Sequence, residues 1–265
     1  MMKATLTKRR HPIVRAVCAL GRRAILPMQR QYLKRRVGRL MLENLDGVPL
    51  MVLPQVFNPT VFGSSRFLVR VLQRYAGNDT EGKRALDMGT GSGAGAIFAA
   101  RLGYRVTAVD VNPEAVRCAT INMLMLKLET QMNVRQGDLF EAVPGERFDL
   151  VLFNPPFFRG APKNDLDKAW RATDVLERFA EGLPHALTPD GMALLVFSTI
   201  GDLDGALDAL RANGMELETV AEMDYANEML VVIAARCAQI PAPKREVRSN
   251  TIIEIEQFVV KSAFR

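Results

Sequence analysis

Acidic residues are missing from the first 40 positions of this 265-residue chain, which hold twelve Lys and Arg. The formal net charge of +6 therefore resides in that stretch, and residues 41–265 carry a net −6. Within it Ile13, Val17 and Leu20, then Leu33, Val37, Leu40 and Met41, recur at helical spacing among the basic residues. Such a segment suits RNA phosphates (contact would run through residues 3–39), an anionic membrane surface, or an Arg-rich leader; it equally suits two covering helices with solvated basic faces. Cysteine is scarce: Cys18, Cys118 and Cys237 form no CxxC pair and leave one thiol over in any disulfide scheme. A disulfide framework is excluded, and a reducing, cytoplasmic compartment is expected, with Cys118 a small buried residue of a helix. No apolar run approaches the roughly 20 residues that cross a bilayer, so no transmembrane segment is expected. Histidine occurs twice, His11 in the basic stretch and His185 at a helix end, and no Tyr-x-x-x-Lys pair is present. A nicotinamide oxidoreductase becomes a remote reading, and no metal site is expected.

What remains is ample for a core, since 48% of the residues are hydrophobic. Gly47–Pro54 reads as a short strand between breakers, and Val56-Phe57-Asn58-Pro59 as a turn. From Ser64, the residues Phe67, Leu68, Val71 and Leu72 recur at helical spacing up to Ala76-Gly77-Asn78. Strands are then expected at Ala85–Met88, Val106–Val111, Gln131–Gln136, Asp149–Phe153 and Met192–Ser198. Helices are expected at Ser92–Arg101, Pro113–Leu126, Asp167–His185 and Asp202–Ala212. Strand and helix in alternation give a doubly wound α/β sheet. It ends in a hairpin, Met215–Met223 and Met229–Ala235, joined through Asp224–Asn227. The predicted division is a basic helical extension over 1–46, a catalytic domain over 47–238, and a C-terminal strap or extra strand over 239–265, with a spacer at Ile240–Pro243 and a strand at Ile252–Val260.

Two motifs carry chemistry. The turn Asp87-Met88-Gly89-Thr90-Gly91-Ser92-Gly93 lets backbone pass beneath a ligand and presents N–H groups at a helix start. Its register Gly91-x-Gly93-x-x-Ala96 also meets the looser dinucleotide fingerprint, so the loop alone leaves a nicotinamide cofactor open. Asp110, at the end of the second strand and followed by Val111, suits ribose hydroxyls with either cofactor. Asp87 can orient the loop and face a cationic ligand, and Asp138 with Leu139 can take an adenine amino group. The second motif is Asn154-Pro155-Pro156-Phe157 at the end of a hydrophobic strand. The Asn154 side-chain carbonyl and the Pro155 backbone carbonyl can accept the two hydrogens of a planar amine or amide, with the prolines fixing both acceptors and Phe157 offering a stacking face.

Taken in order, the glycine loop, Asp110, Gly137-Asp138, Asn154–Phe157 and the closing hairpin resemble Rossmann-like S-adenosylmethionine-dependent methyltransferases of the methyltransferase small domain type, over roughly residues 50–236. The resemblance implies a seven-stranded, mostly parallel sheet with a terminal antiparallel hairpin, S-adenosyl-L-methionine as cofactor, and N-methylation as the reaction. It implies cofactor contacts from Asp87, Gly89, Thr90, Gly91, Gly93, Asp110, Val111, Asp138, Leu139 and Asn154, and catalytic roles for Asn154, Pro155, Pro156 and Phe157.

Val56-Phe57-Asn58-Pro59 is similar to a segment of protein-glutamine methyltransferases related to the release-factor enzymes, although the usual acidic residue is missing. Phe62-Gly63-Ser64-Ser65, and Phe rather than Tyr at position 157, are similar to guanine methyltransferases of ribosomal RNA. The expected acceptor is a protein glutamine side chain, presented on a protein or ribonucleoprotein. The alternatives are an exocyclic amine of adenine or guanine in nucleic acid, or a small-molecule amine. Phe57, Phe158, Arg159 and Trp170 are the candidate substrate contacts, the last three in one long loop. A non-catalytic RNA-binding module is the reading from another class.

Overall fold

The computed structural model describes residues 35–75, 80–164, 166–225 and 228–238. The helical patterns of residues 13–34, the spacer Ile240–Pro243 and the strand expected at Ile252–Val260 lie outside the described residues. The chain divides into two compact units, Met1–Val37 and Gly38–Arg265, and everything below concerns the second.

This unit begins with β1 (Met41–Leu45) and β2 (Val48–Val52), an antiparallel hairpin. Met41, grouped by its spacing with a helix, is instead the first residue of β1. The reason is the turn: Asp46 and Gly47 have φ of 47° and 87°, the two left-handed residues of a tight hairpin, and Asn44 Oδ1 accepts from Gly47 N at 2.8 Å. Helix α1 (Gly63–Tyr75) buries Phe67, Leu68, Val71 and Leu72, and its Arg70 guanidinium grips both oxygens of Asp46 at 2.7 and 3.0 Å.

Strand and helix then alternate as β3 (Arg84–Met88), α2 (Ala94–Arg101), β4 (Arg105–Asp110), α3 (Pro113–Met125), β5 (Met132–Gln136) and β6 (Phe148–Phe153). After a long loop come α4 (Val175–Ala186), β9 (Leu187–Ser198), α5 (Leu203–Ala212), β10 (Met215–Tyr225) and β11 (Glu228–Cys237). The seven-stranded sheet has the order β10-β11-β9-β6-β3-β4-β5, parallel from β9 to β5, with β11 antiparallel to both its neighbours. Alternate residues of β6 enter opposite layers. Leu150 and Leu152 join a core with Phe67, Leu68 and Ile97 of α1 and α2, whereas Val151 and Phe153 join one with Phe179 and Leu183 of α4. Burial on both faces explains why β6 reads as an almost unbroken apolar run.

The expected helix Asp167–His185 is divided in the structure. A 3₁₀ turn spans Asp167–Ala169, a two-residue strand β8 (Arg171–Ala172) pairs in parallel with β7 (Phe158–Arg159), and α4 begins only at Val175. Phe158 N donates to Trp170 O and Gly160 N to Ala172 O, at 2.9 and 3.0 Å. Those carbonyls serve a distant strand, a pairing that local periodicity does not report.

One side chain ties three elements together. Asn122 of α3 is fully buried; its Oδ1 accepts from Met51 N at 2.7 Å, and its Nδ2 donates to Met51 O at 2.7 Å and Ser92 O at 2.8 Å. The amide thus stitches β2 to the glycine loop through α3. Asn122→Ala leaves buried backbone groups without partners, each worth about 1–3 kcal/mol, so a loss of about 3 kcal/mol is expected in urea unfolding. A loss below about 1 kcal/mol would mean that water replaces the amide.

Candidate active site

A doubly wound sheet has a crevice where the chain stops adding strands on one side and starts on the other. Here that point lies between the carboxyl ends of β3 and β6, because β4 and β5 extend outward from β3 while β6 and β9 lie on its opposite side. The glycine loop leaves β3 and Asn154 follows β6, so topology alone brings the two sequence motifs side by side. A cavity of about 310 Å³ opens there.

Two carboxylates shape its floor. Asp87, 5% exposed, accepts from Thr90 Oγ1 at 2.6 Å and from Ala96 N at 2.8 Å. The loop folds over it with Gly89, Gly91 and Gly93 at φ of 61°, 58° and 85°, values that suit glycine. Gly95 is required for a different reason, since a Cβ there would lie 2.5 Å from Asp87 Oδ1. Asp110 receives Gly91 N on Oδ2 at 2.8 Å and Asn112 N on Oδ1 at 2.9 Å, and Thr90 N donates to Val109 O. Burial pushes the Asp110 carboxyl above the usual carboxylate range, against the pull of the Asn112 and Gly91 amides and of Lys168. Asn112 caps α3 by accepting from Glu114 N and donates to Gln55 O, fixing the segment that carries Phe57.

Asn154 is half-buried at the cavity wall, and its Nδ2 donates to Ser64 Oγ at 3.2 Å and Ser65 Oγ at 3.1 Å, in the first turn of α1. The far end of its motif is held as well: Asp202 N donates to Phe157 O at 3.1 Å, and a Cβ on Gly201 would press on that same carbonyl at 2.5 Å. Phe57 stacks on Phe62 at 4.8 Å between centroids, and Trp170 packs 5.6 Å from each, an aromatic roof joining the segment before α1 to the long loop.

Of the residues expected here from sequence, Phe57, Asp87, Gly89, Thr90, Gly91, Asp110, Val111, Asp138, Leu139, Asn154 and Pro156 line the cavity. The others are placed differently. Gly93 supports the start of α2 against Ala119, Pro155 is buried, and Phe157 packs on the core. Phe158 sits under the Arg171 guanidinium, and Trp170 meets the cavity through Phe57. Arg159 is ion-paired with Glu177 and Asp202, tying β7 to α4 and α5. Asp138 reaches the cavity but also accepts from Arg178 at 2.6 Å, and Leu139 beside it is left-handed at φ 48°. Lys168, Arg171 and Arg178 line the cavity without having been singled out by any motif, and so does Ser65, which the sequence marks only within the segment similar to guanine methyltransferases. The signal for Ser64-Ser65 is there in retrospect, small hydroxyl residues opening an apolar-periodic helix, but nothing local connects them to position 154. Cys118 is buried as expected, and burial pushes its thiol up to about 11.

S-adenosylmethionine carries ribose hydroxyls, an adenine amino group and a cationic methionine end, all of which seek acceptors. The site offers acceptor carboxylates at Asp87, Asp110 and Asp138 and a backbone cradle without Cβ atoms, so the residues present fit the cofactor.

Burial pushes the Asp87 carboxyl up to about 6, against the lowering effect of Thr90 and the Ala96 amide and with Asp110 adding to the rise. Between an ordinary carboxylate pKa near 4 and that value, the native state holds more protons than the unfolded chain, so stability is present below pH 4 and lost as pH rises through about 6. Urea unfolding of the cofactor-free protein from pH 4 to 7 should lose on the order of 3 kcal/mol through this group. Asp87→Asn should flatten that slope, and an unchanged slope would assign it elsewhere.

The comparisons with known proteins agree with this geometry. A family model described as the methyltransferase small domain matches residues 48–224. A Methanocaldococcus jannaschii protein with a provisional N5-glutamine methyltransferase name is 28% identical over 204 residues, covering 74% of this chain and 98% of its own. The release factor glutamine methyltransferase of Shewanella oneidensis is 42% identical over 159 residues, 59% of this chain and 50% of that one, so the chain spans about half the length of this relative. Among solved structures, a T. thermophilus 16S rRNA methyltransferase determined with AdoMet and guanosine superposes with a TM-score of 0.59 at 23% identity, over 75% of this chain and 50% of that one. That last likeness is one of fold.

Proposed function

Since the chain belongs to the methyltransferase small domain family and is an S-adenosylmethionine-dependent methyltransferase, we propose that its acceptor is the side-chain nitrogen of a glutamine in a protein. The observation that carries this reading is the Asn154 carboxamide, fixed at the carboxyl end of β6 on the wall of the cavity. An amide nitrogen is a weak nucleophile because its lone pair is delocalised into the carbonyl. Asn154 Oδ1 and the Pro155 carbonyl accept its two hydrogens, which turns the lone pair toward the methyl carbon and stabilises the positive charge that grows on nitrogen. The bound cofactor supplies an electrophilic methyl group on a sulfonium. The nitrogen held by Asn154 and Pro155 would take that methyl group, the electron pair of the old carbon–sulfur bond would leave with the cofactor, and the nitrogen would shed one proton. The flat amide rests against Phe57, which Phe62 backs. Asp110 would take the ribose, Asp138 with Leu139 and Val111 would take adenine, and Asp87 beneath Gly89–Gly91 would face the methionine end.

Charge at the mouth supports a protein over a nucleic acid. Arg178 on the cavity wall pairs with Asp138, Arg171 lies 3.9 Å from Asp167, and Arg159 nearby pairs with Glu177 and Asp202, so each of these guanidiniums already has an acidic neighbour. The observation favouring a base in RNA is the acid-free stretch of residues 1–40. Either acceptor sits in the cytosol in this reading, in keeping with unpaired thiols at Cys118 and Cys237. Among the described residues no helix is long and apolar enough to cross a membrane.

Transfer of labelled methyl from S-adenosylmethionine into an extract of cells lacking the gene, followed by separate protease and nuclease digestion, decides the acceptor. Protease-sensitive label is expected, and nuclease-sensitive label would move the acceptor to a nucleic-acid base. Asn154→Ala should lower turnover about a hundredfold or more with cofactor affinity retained. Asp110→Ala should weaken S-adenosylmethionine binding in calorimetry at least tenfold, and an unaltered affinity would remove Asp110 from the cofactor site.

A further inference from the structure

We propose that Ser64 and Ser65 are positioning residues for methyl transfer: together they hold the Asn154 carboxamide by its nitrogen edge, so that the edge left for substrate is the Oδ1 acceptor. The inference rests on reading Asn154 as the group that binds the target nitrogen.

A carboxamide has a donor edge and an acceptor edge of nearly the same shape. Rotation by half a turn exchanges them, and an Asn154 that presented Nδ2–H to the substrate would repel the hydrogens it has to accept. In this structure the two Nδ2 hydrogens meet two oxygens, Ser64 Oγ at 3.2 Å and Ser65 Oγ at 3.1 Å, and among the described residues no N–H or O–H donates to Oδ1. Two attachments fix the plane of the amide, and its direction is set as long as both hydroxyls serve as acceptors, as they do in this structure. A loose amide would have to be ordered at each turnover, and that ordering is what preorganisation removes from the barrier. The same arrangement sets a chemical requirement on the acceptor: it must still carry hydrogens on the nitrogen to be methylated.

The serines are themselves braced. Ser64 is 3% exposed, and Gly63 before it lies against the ring of Tyr225 at the end of β10, where a Cβ would come within 2.6 Å of the ring. Tyr225 also donates its hydroxyl to Val61 O at 3.3 Å. The closing hairpin of the sheet thus sets the position of the first turn of α1, and that turn sets Asn154. Phe57, which lines the cavity, and Phe62, which stacks on it, belong to the segment leading into the same turn.

The test uses the full chain labelled with ¹⁵N, the Asn154 side-chain NH₂ signal being identified by its loss in Asn154→Ala. Solvent exchange of that NH₂ group should be at least tenfold slower than for exposed Asn side chains, and Ser64→Ala/Ser65→Ala should abolish the protection. In labelled-methyl transfer to the cell extract, the double variant should lose ten- to a hundredfold in maximal rate, with S-adenosylmethionine affinity by calorimetry within twofold of wild type. Ser65→Thr, which keeps the hydroxyl, should recover most of the rate. Gly63→Ala should lower the rate while removing no hydroxyl. If the double variant does not fold, Ser65→Ala alone carries both measurements, since Ser65 is only half-buried. Fast exchange in the wild type, or protection that survives loss of the serines, overturns the proposal. So does a double variant within twofold of wild-type rate while Asn154→Ala is inactive, a result that leaves the reading of Asn154 standing. Full turnover by Asn154→Ala overturns both.

Discussion

The glycine loop depends on one buried carboxylate. Asp87 receives a hydroxyl and a backbone amide from the segment that wraps it, and the loop can close because Gly95 brings no Cβ against that carboxylate. Burying a carboxylate is costly unless its oxygens are hydrogen-bonded, and the raised pKa of Asp87 records the part of that cost left uncompensated. Most other features of the floor follow from it. With the loop fixed over Asp87, Thr90 N reaches Val109 O, Gly91 N reaches Asp110, and the carboxyl ends of β3 and β4 form one surface.

The remaining supports come from outside the sheet. Asn122 carries the loop to β2, Asn112 carries the start of α3 to Gln55, and Ser64 and Ser65 carry α1 to Asn154. All are neutral polar groups joining segments distant in sequence, where a charged pair would have brought a larger desolvation cost. Arginines do the corresponding work at the periphery, Arg70 on Asp46 and Arg159 across α4 and α5, where solvent lowers that cost.

Much of this was legible in the chain. The apolar runs of β3, β4 and β6, the intervening helices and the terminal hairpin follow from periodicity and breakers, and so does the pairing of a glycine loop with Asp110. The misread segments have specific causes. Met41 stands at helical spacing after Leu33, Val37 and Leu40, yet the Asp46-Gly47 turn folds it into a hairpin strand. The helix expected from Asp167 begins only at Val175 because Trp170 and Ala172 give their carbonyls to Phe158 and Gly160. Phe157, expected to stack on substrate, packs half-buried against the core, while Phe57 lines the cavity.

The sequence by itself determined which local elements form and which chemistry each carries, because hydrophobic period, glycine at left-handed positions and Asn-Pro-Pro all act over a few residues. The order of the strands, and with it the meeting of Asp87, Asp110 and Asn154 in one crevice, was implied by the resemblance and realised by the sheet. What only the tertiary structure decided is which groups hold those residues in place: Ser64 and Ser65 for Asn154, Arg178 for Asp138, Asn122 for the loop. Hydrogen bonds between residues separated by 30 to 90 positions leave no periodic trace along the chain, because their energy is collected only after the sheet has brought their partners together.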